Sequence, residues 1–170
     1  MAVGFLRPQA PASEAFVPAL RDLLGDPRVA VPFFGRPASA AMIDRYLLQV
    51  LTQAGMRADA FLLAVGPDET LRGAASIFRG SLSFFVAPSH WGQGIAQHLV
   101  ARLCLHADDA DPGALLTAMV YRENVRSRRV VEAAGFSFRG LHDPRASAYA
   151  RRAMLCFERR PGRDRLGVGA

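Results

Sequence analysis

The spacing of apolar residues changes along the chain in a way that predicts alternating helices and strands. Phe16, Leu20, Leu23 and Leu24 recur at helical spacing, predicting a helix from about Glu14 to Leu24; Pro18 is tolerable there only close to its start. Gly25 to Pro37, rich in proline and glycine, reads as a loop carrying Phe33 and Phe34. Met42, Ile43, Tyr46, Leu47, Val50 and Leu51 return to helical spacing and predict a second helix over Ala40 to Ala54, with Ser39 as its cap.

Three apolar runs follow, Ala60 to Val65, Leu71 to Arg79 and Ser81 to Val86, punctuated by Gly66-Pro67-Asp68 and by Gly80. They read as strands. A helix over Gly94 to Ala107 is broken by Asp108 to Gly113, and a strand over Ala114 to Tyr121 leads into a helix over Asn124 to Ala134. Gly135 is its expected C-cap. Strands near Phe5, near Ser137 and around Arg152 to Glu158 complete the pattern, and the tail from Pro161 is expected to fray. No internal repeat is visible. The order predicts a single α/β (α+β) domain over residues 1–160 with a flexible tail over 161–170.

Composition narrows this picture. A chain of 170 residues with 51% hydrophobic content can bury most of the surface that its unfolded form exposes. No run reaches the roughly 18 apolar residues of a membrane span, and no export signal is read at the N-terminus. Cys104 and Cys156 lack metal-ligand spacing and are expected as reduced thiols in a cytoplasmic protein. All 21 basic residues are arginine, and the net charge is +6. Codon usage in a GC-rich genome is the expected source of the bias toward arginine. Residues 122–165 nevertheless hold 12 arginines against five acids, which suits a ligand bearing phosphates. Nucleic acid is not the expected partner, because no stacking aromatics interleave with these arginines.

Two segments carry the chemistry. The first is Phe84-Phe85-Val86-Ala87-Pro88-Ser89-His90-Trp91-Gly92-Gln93-Gly94-Ile95-Ala96, where a strand ends and a glycine loop opens a helix. N–H groups at such a helix start converge on one point that favours negative charge, and glycines let a bulky anion approach the main chain. Alone, the loop has an ordinary tight turn as its alternative reading. The second segment runs from Asn124 to Phe136, behind another apolar strand.

Together these segments resemble the GNAT superfamily of acetyl-CoA-dependent N-acetyltransferases, and more closely its ribosomal-protein N-terminal acetyltransferase branch. Val86 to Ala96 is similar to that branch's V-x-P-x-x-W-G-x-G-I-A, Asn124 to Phe136 to its N-x-x-S-x-R-V-x-E-x-x-G-F, and Leu6-Arg7-Pro8 to its opening. The likeness runs from about Leu6 to Arg159.

The resemblance implies a GNAT-like fold with a central mixed, mostly antiparallel sheet flanked by helices, and acetyl-CoA as co-substrate with no metal. It implies that Gly92, Gly94 and Ala96 let the main chain wrap the CoA pyrophosphate, with Gln93 and Ile95 donating backbone N–H groups. Trp91 stands where the family usually has Arg or Gln, and plain packing is its alternative role. The pantetheine arm would lie along Phe84, Phe85 and Val86, whose side chains can remain core. Asn124 would bond the pantetheine amides or simply cap its helix. Ser127, one turn on, or else water, would protonate the departing thiolate, since Val131 replaces the family's frequent tyrosine. Arg129 would approach the CoA phosphates or remain a surface arginine.

The strand Ser81 to Val86 has no carboxylate to serve as general base, and His90 and His98 are the only imidazoles nearby. An α-amine near pKa 8 is about a tenth neutral at pH 7, far more than a lysine. The expected acceptor is therefore an α-amine or other weakly basic amine, activated through water. An acyl-CoA-binding relative without activity is the alternative. A dinucleotide-binding oxidoreductase is disfavoured, because Gln97 occupies the third glycine position of its fingerprint. Acceptor choice is assigned to the first two helices, the Phe33-Phe34 segment and Leu141 to Tyr149. A homodimer through sheet edges or the C-terminal strand would be unremarkable.

Overall fold

The computed structural model describes residues 4–6, 15–52, 60–142 and 153–160. Its strands are β1 (Gly4–Leu6), β2 (Ala60–Val65), β3 (Leu71–Phe78), β4 (Ser81–Val86), β5 (Leu116–Tyr121), β6 (Ser137–His142) and β7 (Met154–Arg159). They form one sheet in the order β1-β2-β3-β4-β5-β7-β6. Helices α1 (Val17–Gly25), α2 (Pro27–Phe34) and α3 (Ala40–Thr52) precede β2; α4 (Ile95–Ala110) and α5 (Val125–Ala133) flank β5. The expected single domain with a mixed, mostly antiparallel sheet is what forms. The predicted tail over 161–170 lies outside the described residues.

Every pairing is antiparallel except β4 with β5, which run parallel and meet only at Ser81↔Thr117 and Leu82↔Ala118. Beyond Leu82 the two strands have no mutual register, so a gap opens in the middle of the sheet. Alternation along β4 sends Leu82 and Val86 into one core with Leu99, Leu103 and Val131, while Phe85 joins another with Leu20, Ile43 and Leu47. The two cores hold α4 and α5 on one face and α1 to α3 on the other. Leu103 has no exposed surface, and truncating such a residue to alanine costs about 2–5 kcal/mol.

Three local expectations need correction. The segment expected as a loop contains α2. Asp26 caps it by accepting from the Arg28 N–H at 2.9 Å, Pro27 occupies a first-turn position where its missing N–H costs nothing, and Gly35 ends it at φ 75°. Helix α4 continues through Asp108 to Ala110, because the Asp108 carboxylate takes both Arg159 terminal nitrogens at 2.7 Å. That bidentate pair offsets the poor placement of an acid at a helix C-terminus. Helix α1 begins at Val17, later than expected, and so keeps Pro18 in its first turn.

Candidate active site

The gap between β4 and β5 is the foundation of the site. The Ala87 N–H donates to the Arg72 carbonyl at 2.8 Å, which fixes the alternation along β4. Phe85 and Ser83 therefore turn their main-chain groups to β3, while Phe84 and Val86 turn theirs toward the gap. With no β5 partner beyond Leu82, those groups form an unpaired strand edge.

The chain leaves β4 through a short 3-10 turn, Pro88–His90, and enters α4 through Gly92 and Gly94 at φ 79° and 78°. A Cβ at Gly92 would meet nothing within 4 Å, so it would project into open space. Gly94 is the N-cap of α4 and has no side chain with which to cap it. The first-turn N–H groups, from Ile95 onward, have no helical carbonyl four residues back. The positive end of the α4 dipole is thus left uncapped.

Helix α5 begins differently. Asn124 is its N-cap, and its Oδ1 accepts from the Ser127 N–H at 3.1 Å. Its amide nitrogen remains a donor for a ligand. Both helix starts and the β4 edge line one cleft of about 540 Å³. Of the residues predicted from sequence, Phe84, Phe85, Val86, Trp91, Gly92, Gly94, Ile95, Ala96, Asn124, Ser127 and Arg129 all line it. Gln93 does not; its side-chain amide instead lies 3.5 Å from the Ser89 carbonyl. His90 lines the cleft, whereas His98 lies outside and bonds the Gly94 carbonyl through Nδ1 at 2.9 Å.

Trp91 does more than pack. Its indole N–H donates to the Val86 carbonyl at 2.8 Å, and the Arg126 guanidinium lies 4.7 Å from its ring centroid. One contact closes the carbonyl at the end of β4, and the other ties the glycine loop to α5 by a cation–π interaction. The main-chain groups still open on that edge are the Phe84 N–H and C=O and the Val86 N–H.

Sequence reasoning missed α2 as a wall of this cleft, together with Arg28 and Arg126. Arg28, Pro32 and Phe33 contribute from α2. The signal was present as Asp26, Pro27 and Gly35 in capping order. Arg28 shares its charge with Asp26 through a contact of 2.6 Å, and this hydrogen bond holds the half-buried Asp26 carboxyl below its ordinary range. The cleft lining contains Arg28, Arg126, Arg129 and His90 and, among the described residues, no Asp or Glu.

A second cleft of about 520 Å³ lies along the gap on the α3 side and shares Phe33 with the first. Its lining includes Ser83, Tyr46, Tyr121 and His142. The Ser76 and Ser83 hydroxyls are 2.8 Å apart, and each lies 3.2 Å from the Tyr46 hydroxyl. Three hydroxyls in a ring can each donate and accept once, so burial leaves none unsatisfied. Burial pushes the Tyr46 phenol above its ordinary value, with the two serine hydrogen bonds offsetting part of the rise. The phenol therefore keeps its proton at neutral pH. Burial also pushes the Cys104 thiol up to about 11 and raises Cys156, so neither is a thiolate nucleophile at neutral pH.

No group of three or more metal-ligating side chains occurs among the described residues, and no helix there is long and apolar enough to cross a membrane. A split parallel strand pair, an uncapped glycine-led helix and an arginine-lined cleft together define a site for an extended anionic ligand. The chain belongs to the GNAT acetyltransferases: the Acetyltransferase (GNAT) domain family matches residues 5–137.

Solved structures share the fold. The ribosomal-protein-S5-alanine acetyltransferase of Vibrio fischeri is 15% identical with a TM-score of 0.73, covering 94% of this chain and 93% of that one. The spermidine N-acetyltransferase of Vibrio cholerae, in complex with CoA and spermine, is 13% identical with a TM-score of 0.70, covering 92% and 94%. A phosphinothricin acetyltransferase of Sinorhizobium meliloti, in complex with acetyl-CoA, is 16% identical with a TM-score of 0.69, covering 94% and 88%. No curated protein sequence matches the chain.

Proposed function

We propose that this protein transfers the acetyl group of acetyl-CoA to a primary amine, with an α-amine or similarly weakly basic amine as acceptor. The observation that carries the reading is the uncapped first turn of α4 facing an unpaired β4 edge across one cleft. Structures of the same fold hold CoA or acetyl-CoA, which supports the assignment. The motif likeness to the ribosomal-protein branch favours an α-amine over a polyamine; the fold does not choose between them, since the Vibrio fischeri and Vibrio cholerae enzymes share it.

Acetyl-CoA supplies the thioester that reacts. The residues here fit it: Gly92 leaves space where a phosphate must approach, the α4 N–H groups supply donors, and Arg126 and Arg129 supply positive charge. The Phe84 main chain and the Asn124 amide nitrogen would bond the pantetheine arm. The Val86 N–H would stabilise negative charge on the carbonyl oxygen as the amine attacks. A C–N bond would form as the C–S bond breaks, with the Ser127 hydroxyl giving its proton to the departing sulfur and regaining one, through water, from the amine nitrogen. The amine approaches through the second cleft. With no carboxylate lining either cleft among the described residues, its proton leaves through water.

Thermal unfolding with acetyl-CoA, CoA and NAD tests the cofactor. Acetyl-CoA at 100 times its Kd should add about 2.7 kcal/mol. For a domain of this size, that raises Tm by about 5–10 °C. NAD should do nothing. Release of CoA thiol in the presence of an α-amine separates the enzyme from a binder; stabilisation without turnover on any amine would assign the chain to acyl-CoA binding.

A further inference from the structure

The end of α2 spans the gap in the sheet. On one side the Phe33 ring stands edge-on to Phe85 of β4, with centroids 5.3 Å apart. On the other, Gly35 lies so close to Tyr121 of β5 that a Cβ there would overlap the tyrosine hydroxyl. Phe33 is also, among the described residues, the one that lines both clefts. The Val86 N–H, assigned above to the thioester carbonyl, follows Phe85 directly in sequence. On that assignment the carbon chain of the acyl group leaves the carbonyl beside the Phe33 ring.

The ring is held from several directions. Phe34 and Tyr46 meet it edge-on at 4.8 and 5.1 Å, and the Tyr46 hydroxyl is itself held 3.2 Å from the Ser76 and Ser83 hydroxyls. Displacing Phe33 would disturb edge-to-face contacts with three other rings. A wall of this kind does not yield to an added methylene without strain in its neighbours.

Resting on the acetyltransferase reading above, we infer that Phe33 sets the acyl-chain length. Its ring narrows the junction of the two clefts, leaving room for the methyl of an acetyl group and excluding a chain as long as butyryl.

Titration calorimetry of the full chain with acetyl-CoA, butyryl-CoA and free CoA tests this without an acceptor. Acetyl-CoA should bind at least about tenfold more tightly than butyryl-CoA, the cost of a surplus methylene in a fitted apolar pocket. Phe33→Ala should bring the two Kd values within about threefold, mainly by tightening butyryl-CoA, and should leave free CoA within about threefold of wild type. Phe33→Leu keeps an apolar side chain in the turn, should give an intermediate ratio, and carries the test if the alanine variant fails to fold. Phe34→Ala is the control: that ring touches Phe33 but lines only the second of the two clefts, so its loss should move the ratio less. Equal affinity for the two thioesters in the unaltered protein overturns the inference. So does a ratio that the Phe33 variants leave unchanged, or that Phe34→Ala moves as far; both results keep the cofactor reading in place. Failure to bind either acetyl-CoA or free CoA would overturn that reading and the inference with it.

Discussion

Helices α4 and α5 both point their N-termini into the first cleft, yet the chain treats the two starts oppositely. At α5, Asn124 turns its own Oδ1 onto the Ser127 N–H and satisfies a first-turn donor internally. At α4, Gly94 has nothing with which to do so, and Gly92 beside it leaves open space. A capped start is stable without a ligand; an uncapped one lined by arginines is a place for an anion. On the function proposed above, this contrast assigns the phosphate end of the cleft to α4 and the α5 end to neutral amides and the reacting atoms.

The largest expected effect comes from closing the open start. Gly92→Asp would put a carboxylate where phosphate should sit, in a left-handed conformation that Asp and Asn tolerate better than other residues. Acetyl-CoA affinity should fall at least about 100-fold, near 2.7 kcal/mol. Gly92→Asn, of the same size without the charge, should lose less than about tenfold. Titration calorimetry on both variants measures this. Equal losses would mean that space, not charge, matters at Gly92, and the contrast between the helices would fail.

Changes at Asn124 should be smaller and should divide in two. Asn124→Ala removes the cap and should cost about 1 kcal/mol, lowering Tm by about 2–4 °C. Asn124→Asp keeps an oxygen for the Ser127 N–H and adds a charge that the helix start favours, so stability should hold. It nonetheless removes the amide donor, and the KM for acetyl-CoA should rise by about fivefold to tenfold, the loss of one hydrogen bond. Wild-type KM in the Asp variant would reduce Asn124 to a cap.

Much of this was legible in the sequence, for identifiable reasons. The period change at Ala60, the glycine loop at Gly92 and Gly94 and the capping residue Asn124 are local signals, and they marked their elements. Helix α2 was hidden because Pro27 and Pro32 look like breakers when composition is read without position, although Pro27 sits where a helix tolerates it. Arg159 could not announce that it would extend α4, since its partner Asp108 lies 51 residues away. The triangle of Tyr46, Ser76 and Ser83 is equally non-local: it exists because β3 and β4 place Ser76 opposite Ser83 and α3 lays Tyr46 over both. Sequence marks chemistry built on one loop; chemistry assembled across a sheet needs the register.

The smallest effect on acetyl-CoA binding comes with a test of whether the two helix starts are mechanically joined. Trp91 reaches from the glycine loop to the Val86 carbonyl and lies under Arg126 of α5, so it links the open start, the strand edge and the capped start. Trp91→Phe keeps a ring for Arg126 but loses the indole donor. It should cost about 0.5–1.5 kcal/mol, the net value of one hydrogen bond. Trp91→Ala should cost roughly 0.5–1 kcal/mol more, because the cation–π contact also goes. In Trp91→Phe the Val86 carbonyl is freed toward the gap, where a pantetheine amide could take the place of the indole, so acetyl-CoA should bind within about threefold of wild type, under 0.7 kcal/mol. Trp91 is the protein's one tryptophan, so its fluorescence should report ligand entry in the unaltered protein, with calorimetry serving the variants. Wild-type Tm in both variants would mean that the cores alone set the helix positions. A loss of stability graded from Phe to Ala, with binding kept in the Phe variant, would show that Trp91 holds the cleft's frame and that the unpaired edge of β4 holds the ligand.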